Sequence, residues 1–366
     1  MPTPRSRRSV LAGLLAAPLV LGLVACGDDG GSSGDTATDA PGASDGDATT
    51  AEEVTLHLGY FPNVTHAPAL VGVGEGIFED NLPENVNLET LTFNAGPEAV
   101  EALFAGSLDI TYIGPNPAIN AFAQSDGEAV RIIAGSTSGG AALVTSPDIT
   151  SPEQLEGTVL ATPQLGNTQD VALRSYLADQ GFETDETGGG DVSIRPQANA
   201  DTLTQFQSGD IDGAWVPEPW VTRLVDEGGG HVLVDEADLW PGGQFVTTHI
   251  LVRTAFLEDH PDVVEAFLRG HLAALDAIEA DPAGAQAAVN DQIEAITTSR
   301  LADSVIAGAW ENLEFTYDPI ASSLATSAEH AEAVGLLDPV DLDGIYDLSI
   351  LNSILAADGR AEVAAA

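Results

Sequence analysis

The chain has a single cysteine and no lysine. Its eleven basic residues are all arginine, set against 57 aspartates and glutamates, for a net charge of −46 over 366 residues. So acidic a surface repels nucleic-acid phosphates and anionic lipid head groups, which excludes a nucleic-acid-binding role. One thiol can make neither an internal disulfide nor a redox pair, so the fold must be held by its core. Catalytic signatures are missing as well: beyond the Gly/Ser-rich tract of residues 27–51 there is no Gly-x-Ser-x-Gly, and the chain has no phosphate loop and no His-Glu-x-x-His. The seven histidines, His57, His66, His231, His249, His260, His271 and His330, show no short paired spacing suited to zinc. No metal or cofactor is therefore implied. Beyond residue 25 no apolar run reaches the ~20 residues that span a bilayer.

The one cysteine, Cys26, is informative by its place. It closes Leu23-Val24-Ala25-Cys26, where an apolar run from Val10 to Val24 gives way to a Gly/Asp-rich tract. Arg5, Arg7 and Arg8 precede that run, so residues 1–25 have the anatomy of an export signal. Cysteine directly after Leu-x-Ala resembles the lipobox of bacterial lipoproteins, in which the thiol is acylated and becomes the new N-terminus. Ser6-Arg7-Arg8-Ser9-Val10-Leu11 also resembles a twin-arginine signal. The expectation is a protein outside the cytoplasm, anchored to the outer face of the cell membrane by lipid on Cys26. Residues 27–51 contain only Gly, Ser, Thr, Asp, Ala and Pro, which cannot form a core. Residues 26–52 read as a flexible tether reaching about 25–30 Å.

From Val54 short apolar runs alternate with helical patterns, the signature of an α/β protein. Strands are predicted at 54–60, 86–93, 108–113, 130–134, 142–145, 159–162, 192–195, 213–216, 232–234 and 245–252. Helices are predicted at 67–78, 97–104, 115–124, 168–180, 200–207 and 219–227, and from Pro261 onward the chain reads as helical, including 300–313. Two stretches repeat. Pro97 to Ile113 can be laid on Ala200 to Val216 at a constant offset of 103 residues. Val100 then matches Leu203, Leu103 matches Phe206, Gly106 matches Gly209, Leu108 matches Ile211, Asp109 matches Asp212, Tyr112 matches Trp215 and Ile113 matches Val216. Each copy is a helix stopped by a glycine suited to the left-handed position, then an aspartate and a strand. Two similar lobes are expected.

Five segments carry a resemblance: Leu58-Gly59-Tyr60-Phe61-Pro62-Asn63-Val64-Thr65-His66-Ala67-Pro68-Ala69, Phe93-Asn94-Ala95-Gly96-Pro97-Glu98-Ala99-Val100-Glu101-Ala102-Leu103, Gly106-Ser107-Leu108-Asp109-Ile110, Ser208-Gly209-Asp210-Ile211-Asp212-Gly213-Ala214 and His260-Pro261-Asp262-Val263-Val264-Glu265-Ala266-Phe267. From about Val54 to Leu313 the chain resembles the aliphatic sulfonate, taurine and nitrate branch of ABC-importer solute-binding proteins. That resemblance implies an α/β, two-lobed periplasmic-binding-protein-like fold of type II with a helical C-terminal extension. Residues 53–137 and 246–366 would form lobe 1 and residues 138–245 lobe 2, joined by crossings near 135–140 and 244–248. It further implies a monomer that closes by a hinge on a small organic anion, foremost an aliphatic sulfonate, and delivers it to an ABC permease. Nitrate, taurine and a thiamine-pyrimidine precursor stay open as solutes. The alternative from another class is an extracytoplasmic enzyme on the same fold, which would need an acid/base pair in the cleft.

In open α/β sheets ligands lie beyond the carboxyl ends of the strands, where helix starts offer unpaired N–H groups and a favourable dipole to an anion. Arginine is dispensable there. The candidate junctions supply Asn63 and His66, Gly96, Gly114 and Asn116, and Gly166, Asn167 and Thr168. Pro115 suits a first helical position and Asn167 a cap. Ser138, Gly139 and Thr247 are candidates at the crossings. At the same rim Trp215-Val216-Pro217-Glu218-Pro219-Trp220 sets a carboxylate between tryptophans, and Glu98 begins another helix. Glu218 so placed suits a cation or an amine, which keeps a zwitterion in play. His249, within an apolar strand, reads as a core histidine.

Overall fold

The computed structural model describes residues 52–365. Cys26, the export signal and the tether up to residue 51 lie outside the described residues. The chain runs β1 (Val54–Tyr60), a short 3-10 turn, α1 (Ala67–Gly74), α2 (Ile77–Asn81), β2 (Val86–Thr92), α3 (Gly96–Phe104), β3 (Ile110–Ile113), α4 (Pro115–Gln124) and β4 (Val130–Gly139). It continues through β5 (Ala141–Thr145), β6 (Val159–Thr162), α5 (Thr168–Asp179), β7 (Ser193–Pro196), α6 (Asn199–Ser208), β8 (Gly213–Pro217), α7 (Trp220–Asp226) and β9 (His231–Asp235). It closes with β10 (Val246–Arg253), α8 (Thr254–Asp259), α9 (Pro261–Ala280), α10 (Pro282–Thr297), α11 (Asp303–Glu311), β11 (Leu313–Phe315), α12 (Ala321–Ala333) and α13 (Ser349–Ala357).

Two sheets result, ordered β11-β4-β10-β3-β1-β2 and β7-β6-β8-β5-β9. Each has the same kernel. β1 pairs in parallel with β2 and β3, and β6 with β7 and β8, while an antiparallel strand closes on the repeat strand, β10 on β3 and β5 on β8. β3 and β8 are buried along their whole length, as expected of strands covered on both faces. One face of the first sheet packs Leu56, Leu58 and Tyr112 against Leu70 of α1 and Phe267 of α9; the other packs Ile113 against α3, α4 and α12. The second sheet is covered by α6 and α7 on one side and by α5 on the other.

The repeat has a structural basis. Gly106 and Gly209 both take left-handed backbone, φ 70° and 79°, directly after their helices. Asp109 then donates its N–H to His57 O and accepts from His57 N, each at 3.0 Å; Asp212 makes the same double contact with Val159, each at 2.8 Å. The aspartate thus fixes the repeat strand against its parallel neighbour, β1 in one sheet and β6 in the other.

Several elements differ from the sequence prediction. Gly76, at φ 70°, breaks the predicted helix 67–78 into α1 and α2. β4 runs on to Gly139 because β10 and β11 pair with its far end. Leu313–Phe315 is a strand beside that end, and α11 stops at Glu311 ahead of it. The chain leaves the first sheet at Gly139 and Gly140, both with positive φ, 80° and 72°, and returns between β9 and β10.

Candidate functional site

Between the sheets lies a chamber of about 40 Å³ at the carboxyl ends of the strands. Helix starts from both lobes surround it. Lobe 1 contributes Asn63 and His66 before α1, Asn94 and Gly96 at α3, and Gly114 at α4; lobe 2 contributes Asn167 and Thr168 at α5 and Asn199 at α6. The lobes meet closely here: a Cβ on Gly114 would strike the Thr168 hydroxyl. Across the same cleft Trp220 Nε1 donates to Asn63 Oδ1 at 3.4 Å and Asn120 Nδ2 to Gly166 O at 3.5 Å.

Among the described residues lining the chamber none carries a formal charge. The one titratable group, His66, is buried, and burial lowers its pKa to about 3, so the ring is neutral at pH 7. Its Nδ1 accepts the Phe61 N–H at 3.3 Å, which leaves the proton on Nε2 as a neutral donor. Phe61 also stacks on that ring at 4.4 Å between centroids. Positive potential comes instead from the peptide dipoles, about half a unit charge per helix start.

The start of α5 is built most firmly. Asn167 Oδ1 accepts the Asp170 N–H at 2.9 Å, the cap foreseen from sequence. The buried Asp170 carboxylate accepts from Thr162 Oγ1 at 2.8 Å, Gly166 N at 3.0 Å and Arg174 Nε at 3.0 Å. Arg174, 1% exposed, further donates to Asp185 O at 2.6 Å. The pair neutralises itself and holds the Gly166–Asn167 turn in place without presenting a charge to the chamber.

Of the sequence candidates, Asn63, His66, Gly96, Gly114, Asn167, Thr168 and Thr247 line the chamber together. The others are placed elsewhere. Asn116 turns to the neighbouring helix, where Nδ2 donates to Ser327 O at 3.1 Å. Glu98 is exposed and accepts the N–H of Asn94, two residues ahead of α3, at 3.2 Å. Ser138 and Gly139 sit in the β4 ladder, and Gly139 O accepts from Thr247 Oγ1 at 2.5 Å, one bond behind the wall. Gly166 forms the turn that Asp170 holds.

Trp215 and Glu218 depart furthest from expectation. Trp215 is fully buried within the second lobe, and its Nε1 donates to the buried Glu236 at 2.7 Å. Glu218, also buried, accepts from Thr222 N and Oγ1 at 3.1 and 3.0 Å and from Asn312 Nδ2 at 2.7 Å. Its own N–H donates to Gly140 O at 2.8 Å, so it ties the crossing rather than facing a ligand. Burial raises its pKa above the ordinary carboxylate value. Sequence reasoning missed Asn94, Gln169 and Asn199. A signal for Asn199 existed: under the repeat offset it falls on Gly96.

Two α/β lobes with a shared chamber at their strand ends define the periplasmic-binding-protein fold. The chain belongs to the NMT1-like family, whose profile matches residues 49–291. It is 29% identical over 235 residues to the taurine-binding periplasmic protein of Escherichia coli, covering 64% of this chain and 70% of that protein. It resembles in fold the periplasmic aliphatic sulphonate binding protein SsuA of Escherichia coli, at a TM-score of 0.63 and 21% identity over 80% of this chain and 96% of SsuA. The nitrate-binding protein NrtA of Synechocystis superposes at a TM-score of 0.69 and 16% identity, covering 84% of this chain and 89% of NrtA.

Proposed function

We propose that the protein is the extracytoplasmic solute-binding component of an ABC importer, and that it captures a small organic anion, foremost an aliphatic sulfonate, for delivery to the permease. One observation carries this reading: helix starts from both lobes surround a chamber walled by neutral donors, with no carboxylate among the described lining residues. Such a chamber stabilises an anion through N–H groups and dipoles. The relatives named above are binding proteins, which supports a receptor rather than an enzyme. Cys26 and the tract after it support a lipid anchor at the outer membrane face. Cys26→Ser is expected to release the protein from the membrane fraction, and fatty-acid labelling that persists in this variant would remove the anchor.

Taurine is the second reading, favoured by the 29% identity to the taurine-binding protein. Its ammonium would meet no carboxylate in the chamber lining, since Glu218 is occupied by Thr222 and Asn312, and would have to pair with a neutral acceptor such as the unpartnered Asn199 Oδ1. Thermal unfolding with methanesulfonate, taurine and nitrate tests both. At a hundredfold excess over its dissociation constant the true ligand adds about 2.7 kcal/mol. Thr168→Asp, which sets a fixed negative charge in the wall, is expected to abolish the methanesulfonate shift. Stabilisation by taurine alone would reverse the order of the two readings; none by any anion would sink both.

A further inference from the structure

Two glycines, Gly139 and Gly140, carry the chain from the first sheet to the second, and each side of that crossing is flanked by a different lobe. On one side stands the junction of α11 and β11, in lobe 1. Leu313 pairs with Gly139 in the ladder, a Cβ on Gly139 would come within 2.7 Å of Asn312 O, and one on Gly140 would strike the Leu313 side chain. On the other side stands the end of β8, in lobe 2, where Pro217 pairs with Ala141 and the Glu218 N–H donates to Gly140 O at 2.8 Å. The two flanks meet. Asn312 Nδ2 donates to Glu218 Oε1 at 2.7 Å, and the remaining donors to this carboxylate, Thr222 N and Oγ1, belong to its own lobe. Among the described residues Asn312 is therefore the one donor that reaches Glu218 from lobe 1. No cation balances the buried carboxylate: Arg223 of α7 is paired with Glu227, and Asp303 and Glu311 of α11 and Glu314 of β11 are exposed. Burial raises the Glu218 pKa, with a smaller push from the like charge of Asp226 on α7. The next residue back, Pro217, already lines the chamber.

We propose that Asn312 and Glu218 form a lock on the hinge, a side-chain bond between the lobes that holds the crossing at its closed angle and sets how fast a captured solute is released. Glycines at positive φ leave the crossing free to rotate, so the angle must be held by what flanks it. Any rotation there moves the β8 side against the β11 side and stretches the bond between them. The Thr222 bonds travel with Glu218 and do not resist. α7 and α11 are packed beside the bond, where a Cβ on Gly308 would lie 3.2 Å from Thr222 Cγ2, so the two helices are already close when the lock is made. The claim about release rests on the reading of the chamber as a solute site; the claim about the angle does not.

Spin labels on the two lobes test the angle directly. Glu101→Cys and Thr204→Cys are exposed positions that the repeat offset places alike in α3 and α6, and Cys26→Ser removes the chain's only other thiol. Pulsed electron resonance without solute should show a closed population that Asn312→Ala shifts to longer distances. Methanesulfonate should leave this variant about tenfold faster, the weight of one hydrogen bond to a carboxylate. Asn312→Asp is the sharper variant, since it sets two carboxylates at hydrogen-bond distance, where both cannot ionise. It should open the lobes at pH 8 and let them close again near pH 5, as one shared proton remakes the bond, while the parent protein changes less over that range. Asn312 is at the surface, so neither change disturbs the core. Unaltered distances in both variants overturn the lock, also where the melting temperature falls, for the bond would then be structural only. Longer distances with an unaltered release rate overturn its control of the solute. If methanesulfonate binds no form of the protein while the distances shift as expected, the lock stands and the sulfonate reading falls.

Discussion

Tyr112 and Trp215 occupy the same slot of the two repeats, yet each directs its polar tip to a buried group of opposite kind. Tyr112 O–H donates to His271 Nδ1 at 2.9 Å, while His271 Nε2 donates to Gly135 O at 3.0 Å. Trp215 Nε1 donates to a Glu236 carboxylate oxygen at 2.7 Å. Burial lowers the histidine to about 4 and raises the glutamate to about 7. One slot thus stores a neutral base and the other a neutral acid. Lobe 1 adds His66 at about 3 and His249 at about 4, both depressed by burial. The same architecture therefore makes the two lobes depend on pH with opposite sign.

The largest effect expected is acid destabilisation of lobe 1. Each histidine has a folded pKa below its ordinary 6.5. The unfolded chain therefore takes up protons first, and stability falls as pH drops from 6.5 toward 4. Between pH 7 and 4.5 the three together should cost several kcal/mol, on the order of 2–3 each. Urea midpoints at pH 7, 5.5 and 4.5 measure this, and His271→Gln should flatten the curve. A midpoint that does not move would remove the histidines from the account.

Lobe 2 should respond the other way. Glu236 stays protonated in the fold up to about pH 7 while the unfolded chain ionises from 4.5, so its contribution is lost as pH rises between those values. Glu236→Gln, which keeps an acceptor for Trp215, should stabilise the protein at pH 8 by about 2 kcal/mol and have little effect at pH 4. Equal effects at both pH values would mean that ionisation is not the cause.

The aspartate clamps should differ by a smaller margin. Beyond the bond to its opening strand, Asp109 accepts from Arg253 Nη2 at 2.6 Å and meets His57 Nδ1 at 2.8 Å. At the matching place in lobe 2, where the neighbouring antiparallel strand ends, Ser146 N–H donates to Asp212 O as Arg253 N–H donates to Asp109 O. Lobe 1 is built from two segments separated by lobe 2, so the charged tie secures the returning strand. Asp109→Ala should cost about 2 kcal/mol, having left Arg253 without its partner, and Asp212→Ala about 1. Matching losses by chemical denaturation would show that the ion pair adds nothing to the clamp.

Strand and helix positions were legible wherever period and punctuation agreed, as for β1, β6 and α4, whose predicted bounds match the observed ones. The repeat offset also matched Asp109 with Asp212, though not the backbone contacts that make them clamps. What escaped depended on tertiary pairing: β11 exists because β4 offers it an edge, and three residues carry no period of their own. Within the chamber, residues at the tip of a helix start were readable from junction chemistry. Asn116 was not, because one position further along α4 its side chain leaves the axis and turns to the neighbouring helix. Trp215 and Glu218 looked like a rim motif, but the slot shared with Tyr112 is an interior one, and Glu218 lies against the crossing.

A field made by peptide groups cannot be mutated away. Because the chamber's positive potential comes from where helices begin, exchanges among neutral side chains in its walls change shape and hydrogen bonding without altering the charge the site prefers. Over evolutionary time such a site can exchange one small anion for another by altering an asparagine or a threonine. An arginine-based site would have to rebuild its charge balance at each step. The dearth of cations in this chain is therefore compatible with anion capture and leaves the choice of anion free to drift.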